Sequence, residues 1–405
     1  MNDLLRAILS KKMLIIMLTG FSSGLPLLLI GSTLQAWMKE SGVDLTLIGI
    51  FSLVGLPYTL KFLWAPLLDR YVPLHLGRRR SWMLIAQVML GISIAAIGFS
   101  DPLSSPALVA LLAFLVAFFS ASQDIVLDAY RREFLADEEL GLGSSLYING
   151  YRIAMLVAGA GALALSDQVP WKIVYFAMSA FMVVGILTTL FAPEGDSTVA
   201  PPRSLREAVV EPFLEYFQRD RALLILVFIL LYKLGDTMAS AMTTPFILDQ
   251  GFTKTELAEI GKVFGLASTL LGAFIGGSII FKIGIARSLW IFGILQAVST
   301  AGFSVLATQG HSIPWLAAVV AFENLSSGMG TSAYAAFMAS LTNKQFTATQ
   351  YALLTSLMGV PRVLASAPTG WLAKSLGWEV FFIACALIAI PGILLLKKVT
   401  NVPVK

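Results

Sequence analysis

Charge is what this 405-residue chain has little of. Asp, Glu, Lys and Arg make up 13% of it, against about 25% in ordinary soluble domains. With 57% hydrophobic residues and a mean hydropathy of +0.81, that scarcity excludes a soluble protein. Cysteine is scarcer still: Cys385 stands alone, in an apolar run, so no internal disulfide can form. The two histidines, His75 and His311, fall between apolar runs and take neither a metal nor a catalytic role. The net charge of +4 is small and the bases form no stripe, which excludes nucleic acid as a partner. No cofactor is expected. Long polar stretches are also missing, and the apolar runs never stop long enough to make a soluble domain.

Long apolar runs fill the chain instead. A membrane-crossing helix needs about 20 mainly apolar residues, and the sequence supplies twelve such runs: 13–38, 45–68, 81–99, 106–127, 144–165, 171–192, 221–248, 256–280, 288–307, 313–340, 347–373 and 376–396. The basic N-terminus with Arg6, Lys11 and Lys12 resembles a signal peptide, but the run behind it continues to Trp37, so it reads as an uncleaved first helix. Basic residues set the orientation. Arg78-Arg79-Arg80, Arg131-Arg132, Arg203–Arg221, Lys282–Arg287 and Lys397-Lys398 all fall on the side of the N-terminus. The opposite loops hold Lys39, Lys172, Lys254 and Lys374. Both ends are therefore expected in the cytoplasm. The longest polar stretch divides the chain into a bundle at 1–192, a cytoplasmic linker at 193–220 and a bundle at 221–405. Weak self-similarity joins the halves: Gly55-Leu56 matches Gly265-Leu266, and Arg152 matches Arg362, at one common offset. The expected fold is an all-α membrane protein, twelve transmembrane helices in two pseudo-symmetric six-helix bundles, the major facilitator architecture.

The few charges inside the runs carry the functional reading. Burying one in hydrocarbon costs at least about 2.5–3.5 kcal/mol on insertion scales, so such charges are usually retained for function. Lys61, Arg152, Lys233, Lys262 and Arg362 are opposed by Asp124, Asp236 and Glu323. Lys233 and Asp236, three residues apart, share one helix face. The cationic surplus suits an anionic substrate carrying carboxylates or phosphates; the plainer alternative is that acids and bases pair to hold helices together. Lys262, near a helix end, can snorkel and is assigned a structural role. Asp124 and Asp128 share a face at i,i+4; Asp128 reads as an interfacial ion pair. Asp124, a turn deeper, is open between that role and proton transfer. Asp69-Arg70 followed by Gly77-Arg78-Arg79-Arg80 looks like the major facilitator loop signature, with a longer gap than usual. There an acid can pair with cations or a helix end and latch one conformation; the alternative is a basic anchor without a gating role.

Several strings together resemble the AmpG muropeptide permease family of the major facilitator superfamily. They are Gly20–Pro26 (GFSSGLP), Thr33–Met38 (TLQAWM), Ile48–Gly55 (IGIFSLVG), Lys61–Tyr71 (KFLWAPLLDRY) and Ser120–Ala129 (SASQDIVLDA) in the first half. Leu231–Asp236 (LYKLGD), Phe292–Gln296 (FGILQ), Phe322–Ser332 (FENLSSGMGTS) and Ala348–Leu354 (ATQYALL) continue it through the second. The resemblance implies proton-coupled uptake of N-acetylglucosaminyl-anhydro-N-acetylmuramic acid, with or without its stem peptide, from the periplasm. It further implies the inner membrane of a Gram-negative bacterium, a role in peptidoglycan recycling and, in many relatives, a link to β-lactamase induction and antibiotic resistance. Some relatives carry two further C-terminal helices beyond the point where this sequence stops.

The sequence reading is then an alternating-access transporter, not an enzyme, acting as a monomer in the lipid bilayer with protons and an anionic glycopeptide as partners. Ser23, Gln35, Trp37, Lys61, Arg152, Lys233, Asn324 and Arg362 are the expected substrate contacts, with Trp37 offering a flat face to a sugar. Asp124, Asp236 and Glu323 are proton-relay candidates. Asp69, Arg78, Arg79, Asp128 and Arg131 are the expected inner gate. The rival readings are a permease for another anionic solute such as a peptide or acetylated cofactor, a membrane transferase, and a non-transporting sensor. The short outer loops and unpartnered histidines speak against the transferase.

Overall fold

A computed structural model describes residues 6, 8–43, 47, 51–195, 202, 204–253, 256–343, 346–365 and 368–399, without the side chains of Ser52, Leu205, Ala258, Lys262 and 360–364. Among the described residues every regular element is helical. In chain order these are α1 (Lys11–Leu29, continued as Ser32–Glu40), α2 (short turns over 51–70), α3 (Arg78–Gly98) and α4 (Pro106–Phe134). Next come α5 (Leu140–Leu156, a π-helical turn Val157–Gly161, then Ala162–Ser166), α6 (Trp171–Phe191) and α7 (Ala222–Tyr232 and Leu234–Asp249). They are followed by α8 (Leu257–Phe264, π-helical, and Gly265–Ile283), α9 (Ile285–Gln309), α10 (Ile313–Ser340), α11 (Thr347–Leu364) and α12 (Trp378–Val399). Nine of these, among the described residues, are long and apolar enough to cross a membrane. The other three are α2, α10 and α11. In hydrocarbon the backbone must satisfy its own hydrogen bonds, which is why apolar runs of this length become helices without any need for an amphipathic period.

Four expected spans are not continuous: 13–38 breaks at Ile30-Gly31, 221–248 breaks at Lys233, and two others break at prolines. The run 45–68 resolves over its described part into a 3₁₀ turn Phe51–Gly55, helix Leu56–Leu60, a 3₁₀ turn Lys61–Leu63 and helix Ala65–Arg70. Pro57 and Pro66 each stand in the first turn of a new piece, where a missing N–H costs nothing. The run 347–373 stops at Leu364 and resumes as Thr369–Leu376 behind Pro368. Helix α4 runs further than the expected 106–127, because its charged end is buried against partners rather than solvated.

The chain forms two compact units: residues 1–136, 146–212 and 342–352 in one, residues 137–145, 213–341 and 353–405 in the other. In the first, α1 packs on α4 and α6, and α3 on α4 and α6. Its apolar core gathers Leu25, Leu29, Leu90, Ile94, Val116, Ala154 and Tyr175. Gly20 and Gly24 on α1 face Gly150 on α5 so closely that a methyl group on Gly20 or Gly24 would strike the carbonyl of Tyr147 or Tyr151. This is the small-residue approach by which membrane helices gain dispersion contact without a hydrophobic driving force. In the second unit α8 packs on α10, and α9 on α10 and α12, around an aromatic cluster in which Phe382 lies 4.8 Å from Phe246 and 5.0 Å from Phe303 between ring centroids.

The Gly20–Gly24 contact yields a stability prediction. Overpacking of this kind typically costs about 1–3 kcal/mol, so Gly24→Ala should lower the thermal midpoint of the detergent-purified protein. A midpoint equal to the parent's would show that α1 and α5 do not approach in this way.

Candidate functional site

The charges lie in three clusters, two in the first unit and one in the second. The first begins with Asp69, at the end of α2 and fully buried. Its Oδ1 accepts from Arg79 Nη2 at 2.8 Å, and its Oδ2 accepts from the backbone N–H of Thr349 at 2.8 Å and the Thr349 hydroxyl at 2.6 Å. Asp69 therefore also closes the N-terminus of α11, where free N–H groups and the helix dipole favour an anion. The Arg79 guanidinium, also fully buried, forks onto Glu133: Nη2 reaches Oε1 at 2.6 Å and Nε reaches Oε2 at 3.0 Å. Arg78 Nη2 donates to the same carboxylate at 3.2 Å. Two cations thus meet two anions, with the bidentate geometry that makes a buried pair tolerable.

Deeper in the same unit, Tyr147 on α5 donates to Ser23 Oγ at 2.8 Å, and Ser23 on α1 donates to Asp124 Oδ1 on α4 at 2.5 Å. Lys61, nearly buried at the α2 break, acts electrostatically on both Asp124 and Asp128. Asp128 pairs with Arg131 at 3.0 Å. Arg131 in turn donates to the Tyr351 hydroxyl at 2.7 Å and lies over the Tyr147 ring, 4.4 Å from its centroid. Arg152 is half-buried on α5.

The cluster of the second unit is built on a helix break. Lys233 has non-helical backbone, ending the first segment of α7 and preceding the second. Its ammonium stands at a C-terminal, partially negative helix end, while Asp236 sits in the first, partially positive turn of the next segment. Lys233 Nζ donates to Asp236 Oδ2 at 3.0 Å. Asp236 also lies within hydrogen-bonding reach of Glu323 on α10. Glu323 Oε2 contacts the Ser299 hydroxyl at 2.6 Å and Thr300 at 3.4 Å, both on α9. Asn324, next to it, donates to Val320 O and accepts from the Thr269 hydroxyl, both at 2.9 Å.

The expected gate therefore separates into two clusters: Asp69, Arg78 and Arg79 in one, Asp128 and Arg131 in the other. The relay candidates separate as well, Asp124 in the first unit from Asp236 and Glu323 in the second. Trp37 corrects the expected sugar platform: inside the core its ring is stacked on Trp171 at 5.8 Å and packed at a tilt against Tyr175 at 5.2 Å, so it is already covered. Gln35 is exposed and joins none of the clusters through its side chain. The Arg362 side chain, like that of Lys262, lies outside the described residues. Sequence reasoning missed Glu133, Thr349, Tyr147 and Ser299. Glu133 had a signal, an acid directly after Arg131-Arg132 at the end of α4. Nothing in the sequence distinguishes the three hydroxyl residues from many others.

Comparisons with known proteins identify the family and the fold. The model of the Major Facilitator Superfamily matches residues 13–366. Two solved structures share the fold: the proton:xylose symporter XylE, with TM-score 0.73, 11% identity, and 97% of this chain and 95% of that one covered; and the human organic anion transporter MFSD10, with TM-score 0.66, 17% identity, and 95% and 97% covered. The chain belongs to the Major Facilitator Superfamily and is a multi-pass membrane protein of the transporter class. Within the superfamily it is a member of the AmpG family. It is 44% identical over 397 residues to the anhydromuropeptide permease of Escherichia coli K12, covering 98% of this chain and 81% of that protein. It is 33% identical over 391 residues to the putative transporter AmpG 4 of Rickettsia conorii, covering 94% of each.

Arg79 has two carboxylates that depend on it, so removing any one member leaves a buried charge uncompensated. Glu133→Gln and Arg79→Met should each lower the thermal midpoint, and the double variant should lose less than the sum, by about 0.5–3 kcal/mol of interaction energy. Additive losses would show that the two side chains do not pair.

Proposed function

We propose that this protein imports anhydro-muropeptides, N-acetylglucosaminyl-1,6-anhydro-N-acetylmuramic acid with or without stem peptide, from periplasm to cytoplasm for peptidoglycan recycling. The observation that carries this reading is the 44% identity over 98% of the chain to a relative named for that transport. The membrane is the bacterial inner membrane, with both termini cytoplasmic as the basic loops argue, and the working unit is a monomer. Import is driven by protons moving down their gradient, through acids drawn from Asp124, Asp236 and Glu323.

The chemistry of the charged and polar side chains supports the reading. The lactyl and peptide groups of such a substrate carry carboxylates, and Lys61, Arg152, Lys233 and Arg362 are the cations proposed to meet them. Ser23, Gln35 and Asn324 are proposed for hydroxyl and acetamido groups. The Asp69 cluster acts as the inner latch: Asp69 ties α2 to Arg79 on α3 and to the start of α11, and Arg79 carries the link on to Glu133 on α4. A different anionic solute would use the same cations, and competition separates the two readings. Proteoliposomes holding the purified protein, given an inward proton gradient, should accumulate labelled anhydro-disaccharide saturably. Unlabelled disaccharide should block this, and free peptide or nucleotide should not. Uptake that free peptide blocks, or no saturable uptake, would overturn the assignment.

A further inference from the structure

The described charge clusters differ in whether they balance. Asp69, Glu133 and Glu194 face Arg78, Arg79 and Arg80, three anions against three cations. Asp124 and Asp128 face Lys61 and Arg131, two against two. In the second unit Asp236 and Glu323 face Lys233 alone. Among the described residues this is the one cluster short of a positive charge, in a region where an uncompensated charge is costly.

The donor count points the same way. Asp124 has a donor: Tyr147 donates to Ser23, and Ser23 donates to Asp124 Oδ1. Asp236 Oδ1 is buried and accepts no hydrogen bond from the described residues, and the group beside it is another carboxyl, that of Glu323. On the far side of Glu323, the single Ser299 hydroxyl hydrogen is shared between the Gln296 carbonyl at 3.0 Å and Glu323 Oε2 at 2.6 Å. Two carboxylates in contact, with an empty acceptor site and one counter-cation, lack one hydrogen. Tyr232, from the same helix as Asp236, is the further titratable group that feels it, and its hydroxyl is spent on the Leu289 carbonyl at 2.9 Å.

We infer that Asp236 and Glu323 together hold one proton, and that this pair, not Asp124, is the transported-proton site. Binding adds a proton to one carboxylate oxygen and takes the pair from two negative charges to one, which Lys233 balances. Release to the cytoplasm reverses this. A substrate carboxylate that draws Lys233 away from Asp236 leaves the pair needing its proton more, and a proton on the pair frees Lys233 for substrate. Each therefore favours the other's binding, as reciprocity requires. This rests on the proton-coupled import proposed above.

Two readouts separate the proton site from the transport function. Infrared spectroscopy of the detergent-purified protein at neutral pH, with no substrate present, should show a protonated-carboxyl C=O band. That band should disappear in Glu323→Gln and persist in Asp124→Asn. In proteoliposomes, the ratio of gradient-driven accumulation to zero-gradient exchange should collapse about tenfold or more in Glu323→Gln, within the ~5–150-fold range usual for coupled sites. Glu323→Asp should restore part of it, and Asp124→Asn should keep the ratio whatever its rate. A band that survives in Glu323→Gln, or a ratio that collapses in Asp124→Asn instead, would overturn the inference. Loss of the band in Glu323→Gln without muropeptide uptake by the parent would uphold the proton site and reject the substrate.

Discussion

A charge taken into hydrocarbon must find its counter-charge within a few ångströms, and the placement of helix ends in this protein answers to that requirement. Solvating water is replaced by two devices. One is the bidentate guanidinium–carboxylate fork, seen where Arg79 holds Glu133 while also reaching Asp69. The other is the helix terminus, used twice: Asp69 caps α11, and the break at Lys233 sets an ammonium at one helix end and Asp236 at the start of the next. Without these, an insertion cost of about 2.5–3.5 kcal/mol per charge would accumulate to more than a typical fold can carry.

The same economy explains why the clusters lend themselves to a transport cycle. A fully balanced cluster stays closed until an outside charge competes for one of its members. A cluster lacking one positive charge already has a place for a proton. The first description fits the groups around Asp69 and Asp124, and the second fits the pair Asp236 and Glu323. In the coupling proposed above, a substrate carboxylate and a proton act on the same few side chains, each favouring the other's binding.

Much of this was legible in the sequence, because in a membrane protein the apolar runs are long and the charges few. Most span positions followed from that contrast alone, as did the placing of Lys233, Asp236, Glu323, Asp124 and Asp69 in or at the ends of helices, and the matching strings pointed to the AmpG family. The breaks in α2 and α11 were less legible. Pro57, Pro66 and Pro368 mark them, but prolines elsewhere, Pro26 and Pro391 among them, lie within unbroken helix. Partner identity was least legible. Trp37 read as a binding platform because nothing local shows that Trp171 and Tyr175 will pack against it, more than a hundred residues away. Ser299, Tyr147 and Thr349 are hydroxyl-bearing residues among many, and only the register of packed helices selects them.

What joins these parts is the claim that substrate entry and proton entry are one event. The direct measurement is the pH of a lightly buffered suspension of proteoliposomes, with no imposed gradient, as anhydro-disaccharide is added outside. The account predicts a rise in external pH with each addition, abolished when a proton-conducting ionophore collapses the internal acidification. Substrate entry with no change in external pH would contradict it.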